Sequence, residues 1–154
     1  MIKKISILAI ALILGLAATA SAQPWRGWKG SCGWGQGSTY QRMYDPSTAA
    51  TVTGTIEAVE TFKAKRGMAQ GLHLVLTTED GKVAVHLGPV WYIERQDVEL
   101  RKGDTVEVKG SKITFNSKPA IIAAEVKKDD EVLKLRDESG IPYWAGSGMG
   151  GRMR

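Results

Sequence analysis

Residues 72–87 read LHLVLTTEDGKVAVHL, two runs of apolar residues at every second position on either side of Glu79-Asp80-Gly81. Such alternation marks half-buried strands, and an Asp-Gly pair supplies the positive φ that a tight reversal needs. The two runs therefore pair as an antiparallel hairpin. Leu72, Leu74 and Leu76 share one face, as do Val83, Val85 and Leu87, and these two faces must coincide toward the core. His73, Val75 and Thr77 then lie on the opposite face, together with Ala84 and His86. If Asp80-Gly81 is a two-residue turn, Val75 faces His86 and His73 is its diagonal neighbour. A four-residue loop instead places the histidines directly opposite each other. Either register brings them within roughly 5–8 Å.

Working outward, TVTGTIEAVETF (51–62) alternates through Val52, Gly54, Ile56 and Ala58, and its internal glycine predicts a bend that lets one strand serve two partners. DTVEVKGSKITFN (104–116) sets Val106 and Val108 inward. PAIIAAEVK (119–127) forms a last strand in either of two phases, through Ile121 and Ala123 or through Ile122, Ala124 and Val126. PVWYIERQDVEL (89–100) is the helical candidate of the set, opened by Pro89 where a missing N–H costs nothing. Five strands with one short helix between the third and fourth is the order of an OB-fold, so the expected class is all-β: a five-stranded Greek-key barrel, its open end plugged by Val90 and Ile93. Closure removes the sheet edges that would otherwise make so valine-rich a domain aggregate.

Both ends differ from this middle. MIKKISILAIALILGLAATASA (1–22) has Lys3 and Lys4, an apolar run and a small-residue site at Ala20-Ser21-Ala22, the layout of a signal peptide cleaved before Gln23. The expected location is therefore periplasmic or secreted, with no transmembrane span left after cleavage. Residues 23–48 hold Trp25, Trp28 and Trp34 among glycines without periodicity and read as a flexible arm that either docks on a partner or a lipid headgroup or folds its tryptophans back onto the domain, and its deletion is expected to leave the melting temperature nearly unchanged. The expected division is thus 1–22 leader, 23–48 arm, 49–139 barrel and 140–154 a C-terminal segment, with Tyr143-Trp144 laid over the barrel and a glycine-rich tail beyond.

The chain has 154 residues, one cysteine and a formal charge of +5. That length excludes a two-domain enzyme, and a single cysteine excludes an internal disulfide or a cysteine-rich zinc site. Cys32 can still link two copies in an oxidising compartment. The positive charge lies in the ends: residues 49–139 carry 14 basic and 15 acidic side chains, leaving little long-range field to draw phosphate. No phosphate loop, nucleophile elbow or His-Glu-x-x-His helix is present, and Cys32 in a glycine-rich arm cannot hold a dyad with His73 or His86 in place. The expectation is a chain without catalysis.

Two candidate sites remain. The outer face of the second and third strands is the usual OB ligand surface. His73 and His86 share it, and they can hold a late first-row transition metal or an axial haem position, with Met68, water or a carboxylate as third ligand. Both are expected to be solvent-facing. The loop Lys63-Ala64-Lys65-Arg66-Gly67-Met68 flanks the same face, and Lys63, Lys65 and Arg66 suit phosphate, an anionic lipid or a polyanionic glycan. Nucleic acid is disfavoured as a partner because residues 72–87 contain no Phe, Tyr or Trp on which a base can stack.

The segments VHLGPVWYIERQDVELRKGDTVEVKGS (85–111) and KPAIIAAEVKKDDEVLKLRDESGIPYWAG (118–146) resemble exported OB-type domains related to the magnetosome MamS/MamX family, over roughly Tyr44 to Ala145. More distantly the layout is similar to the periplasmic bacterial OB-fold family. The resemblance implies a non-enzymatic binding module of the cell envelope, partnered by an envelope protein or a small ligand or metal, with metal, iron or haem-linked handling as its first specific role and polyanion or nucleic-acid binding as the alternative. Some members of that group carry a Cys-x-x-Cys-His haem motif. Here Cys32 is followed by Gly33-Trp34-Gly35, so covalent c-type haem is not expected.

Overall fold

The structure is a computed structural model that describes residues 33–35 and 37–145. The expected leader, Trp25, Trp28, Cys32 and the tail beyond Ala145 lie outside the described residues. Six strands occur in the order β1 (Ala49–Phe62), β2 (Gly71–Thr78), β3 (Gly81–Pro89), β4 (Thr105–Phe115), β5 (Lys118–Lys128) and β6 (Glu131–Lys134), with a single-turn helix α1 (Val90–Ile93) between β3 and β4. No helix among the described residues is long and apolar enough to cross a membrane.

The hairpin that decides the fold forms in the register that sets His73 directly opposite His86, and its turn is Glu79-Asp80, between Thr78 and Gly81. Leu74, Leu76, Val85 and Leu87 all face inward at 0% exposure. β1 bends as its glycine requires: it pairs with β4 over Ala49–Thr55 and with β2 over Thr55–Phe62, with a bulge beyond Ile56. At Gly54, in this crossing, a Cβ would collide with the Thr77 carbonyl and the Leu76 side chain. β5 pairs antiparallel with β4 and, over Ala120–Ile122, parallel with β3. The circuit β1-β2-β3-β5-β4-β1 closes, and this is the five-stranded OB-fold barrel.

β6 adds a sixth strand to the outer end of β5 (Glu125 opposite Lys134), in a stretch whose charges mask its alternation. α1 is much shorter than the pattern over 89–100 suggests. Gln96 turns its side-chain amide back onto the Tyr92 carbonyl and closes the helix after one turn.

Of the two readings of the arm over 23–48, the described part follows the second, folding back onto the domain, and this corrects the expectation of a flexible appendage there. Trp34 and Tyr40 are each 1% exposed and belong to the core. Trp34 meets Tyr40, Phe62 and Trp144 edge-on at 4.9, 5.8 and 6.5 Å and donates its Nε1–H to the Ala69 carbonyl. Gly71 makes this possible, since a Cβ there would overlap the Trp34 ring. At the other end Trp144, at 0% exposure, covers the barrel as expected and donates to the Trp34 carbonyl.

Arg136 ties these pieces together. Its Nη1 donates to the carbonyls of Leu87 (3.0 Å) and Ala123 (2.5 Å), its Nε to Gln41 Oε1 (3.3 Å), and its guanidinium lies 4.8 Å from the Trp144 ring centre. No carboxylate among the described residues pairs with it. Burial pulls its pKa down to about 10, which leaves it charged at neutral pH.

Candidate functional site

Because β1 leaves β4 at Thr55 to follow β2, its far end and the β4–β5 hairpin splay apart over the outer face of β2 and β3. The gap is a cleft of about 380 Å³ lined by Phe62 and Lys63 at the end of β1, His73, Ala84 and His86 on the face, and Phe115, Asn116 and Lys118–Ala120 of the hairpin. The hairpin turns on Asn116 and Ser117, with φ of 49° and 63°, the paired left-handed conformation of a tight two-residue turn. The cleft therefore has a stiff lip.

Its floor is a cluster of flat rings. The His73 and His86 rings lie nearly parallel (16°) with centres 5.8 Å apart. Phe62 stands 5.1 Å from His73 and 4.4 Å from His86, and Phe115 meets His86 edge-on at 4.8 Å. Two lysines line the cleft and no aspartate or glutamate does. It thus offers π-surface and hydrogen-bond donors under a positive rim, which favours an anion over a cation.

The two histidines differ in environment. His73 Nε2 lies 2.9 Å from Glu60 Oε2, and since a carboxylate only accepts, the imidazole donates. Its Nδ1 is buried without a partner among the described residues. His86, expected to face solvent, is 1% exposed. Its cover comes from another segment: Tyr40 stacks over it at 6.0 Å and brings its hydroxyl to 2.8 Å from Nδ1. Desolvation, reinforced by His73 and Arg136, lowers the His86 pKa to about 4, so the ring is neutral at pH 7.

For the expected metal pair, the geometry is poor. Imidazole lone pairs lie in the ring plane, so parallel rings do not aim them at one point, and two of the four nitrogens already have partners. Met68 is buried in the loop before β2, packed under Gly33. Among the described residues no three of His, Cys, Asp and Glu converge as a metal site does. Of the basic loop residues, Lys63 lines the cleft, while Lys65 and Arg66 are exposed farther along the loop.

Sequence reasoning missed Phe62, Phe115, Asn116 and Lys118. A signal was there: Phe62-Lys63 closes β1 with an aromatic and a lysine, and Phe115 and Lys118 stand on either side of the Asn116-Ser117 turn between β4 and β5. It also missed Tyr40, which lies in no periodic pattern. The aromatics absent from residues 72–87 are supplied by the neighbouring strands.

Residues 48–133 match the MamS/MamX magnetosome protein family. Among solved structures, the chain is similar to the solution NMR structure of the second OB-fold domain of replication protein A from Methanococcus maripaludis, at 23% identity and a TM-score of 0.40 over 56% of this chain and 88% of that one. No curated protein matches the chain.

Proposed function

This chain belongs to the MamS/MamX magnetosome protein family, and on that premise we propose that it is a non-catalytic binding module of the bacterial envelope that handles iron as cargo in a flat, conjugated, anionic form, an iron-porphyrin being the type. The observation that carries this reading is the cleft itself, in which Phe62, Phe115, His73 and His86 present flat surface between Lys63 and Lys118 with no acidic lining. A bare cation would meet two lysines and no convergent ligand set. An anionic chelate would meet stacking surface and charge-assisted donors. The leader pattern of residues 1–22 supports placement in the envelope.

A second reading, single-stranded nucleic acid or another polyanion, is favoured by Lys65 and Arg66 continuing the positive rim along the loop. The full chain titrated with haemin, followed by absorbance, and with a short oligothymidylate, followed by anisotropy, separates the two at about 0.15 M salt. The expected result is micromolar binding of haemin that Lys63→Glu with Lys118→Glu weakens roughly tenfold or more, and oligonucleotide binding that is weak and steeply salt-dependent. Tighter binding of the oligonucleotide at that salt, dependent on Lys65 and Arg66, would put the polyanion reading in its place.

A further inference from the structure

The lysines and aromatic rings of the cleft supply charge and π-face, and neither fixes how a ligand is oriented. The Tyr40–His86 pair does. The Tyr40 hydroxyl is buried and has one hydrogen-bond partner among the described residues, His86 Nδ1 at 2.8 Å. Its proton therefore has one acceptor to go to, and burial raises its pKa further and keeps that proton in place. A neutral imidazole that accepts at Nδ1 carries its own proton on Nε2. His86 lines the cleft, and with Nδ1 taken by Tyr40 its Nε2 is the nitrogen left for a ligand.

We propose that Tyr40 is a positioning residue that locks His86 in the Nε2–H tautomer, making His86 a neutral donor on the floor of the cleft that selects ligands with an unprotonated carboxylate or phosphate oxygen beside a flat ring. The inference rests on the cleft being the binding site and names the chemistry that this site reads. A fixed neutral donor adds direction that flexible lysines at the rim do not supply, and a site built to donate discriminates sharply against an analogue that cannot accept there. Tyr40 lies before residue 48, outside the stretch matched to the family. In this chain the donor is thus set from outside the barrel.

Long-range ¹H–¹⁵N correlation on the ¹⁵N-labelled full chain at pH 7 reads the tautomer directly, with 1-naphthoate and 1-methylnaphthalene, which keeps the flat ring and has no acceptor, as probes. The expected result is His86 protonated on Nε2, a shift of that nitrogen on adding naphthoate but not methylnaphthalene, and a preference for naphthoate over methylnaphthalene. In Tyr40→Phe, which keeps the ring but loses the hydroxyl, the tautomer signature becomes mixed and the preference falls roughly tenfold. The Lys63→Glu, Lys118→Glu variant weakens naphthoate binding but keeps the tautomer. If Tyr40→Phe does not fold, the wild-type tautomer and its response to naphthoate carry the test alone. A His86 protonated on Nδ1 overturns the proposal. So does naphthoate that shifts Lys63 and Lys118 but not His86 Nε2, an outcome that leaves the cleft as the binding site. Naphthoate that shifts no cleft residue overturns the cleft itself and this inference with it.

Discussion

A chain that begins at Thr48, where the family match begins, loses cooperative folding at 25 °C. It lacks Trp34 and Tyr40, each 1% exposed, and truncating a buried aromatic of that size costs roughly 3–5 kcal/mol. It also exposes His86 and removes Gln41, which holds Arg136 Nε and donates to the Gly140 carbonyl. Domains of this size are stable by only about 5–15 kcal/mol in total. The single substitution Trp34→Ala isolates the largest part of the effect and lowers the melting temperature by more than about 10 °C, at roughly 4 °C or more per kcal/mol. Circular dichroism melts of the full chain, Trp34→Ala and the truncated chain decide it. Equal melting temperatures in all three would restore the arm as an appendage.

Acid destabilises the protein between about pH 6.5 and pH 4 through His86. In the unfolded chain this imidazole takes up a proton near pH 6.5, and in the folded one only near pH 4. Between those values the unfolded state binds more protons, so stability falls as pH falls: the contribution is fully present above pH 6.5, declines through the window and is exhausted below about pH 4. Each unit is worth about 1.4 kcal/mol per proton, so the loss approaches about 3 kcal/mol. The carboxyls of Asp45, Glu57 and Asp104 are held below their ordinary range chiefly by hydrogen bonds. Their contributions, present above the ordinary carboxyl range, are lost at still lower pH. Urea melts at pH 7, 5.5 and 4 on the wild type and on His86→Gln, which keeps a polar partner for Tyr40, measure the slope. The wild type is expected to show a slope that largely disappears in the variant, and equal slopes would mean that His86 is not the group responsible.

What the sequence showed and what it hid have distinct physical causes. The β2–β3 hairpin was legible because period-two burial writes itself into every second residue, and Leu74, Leu76, Val85 and Leu87 are all inside. The bend of β1 was legible through Gly54. The burial of His86 was not, because nothing on its own strand covers it: Tyr40 does, from a segment whose aromatics are buried one at a time, with no repeat to announce them. The cleft was half legible. Lys63, His73 and His86 came from the face and loop that an OB order predicts, whereas Phe115, Asn116 and Lys118 reach them only because the β3–β5 pairing closes the barrel. Arg136 sits in a stretch so rich in charge that its burial in the fold has no local signature.

If the cleft is the binding site, a flat anion must bind there. Zinc protoporphyrin, diamagnetic and carrying two carboxylates, is titrated into the ¹⁵N-labelled full chain while the backbone amide spectrum is followed. The expected shifts concentrate at Phe62, Lys63, His73, His86, Phe115, Asn116 and Lys118–Ala120, which line the cleft. Shifts centred instead on Tyr143 and the neighbouring α1, or no shift at any residue up to millimolar ligand, would contradict binding in the cleft.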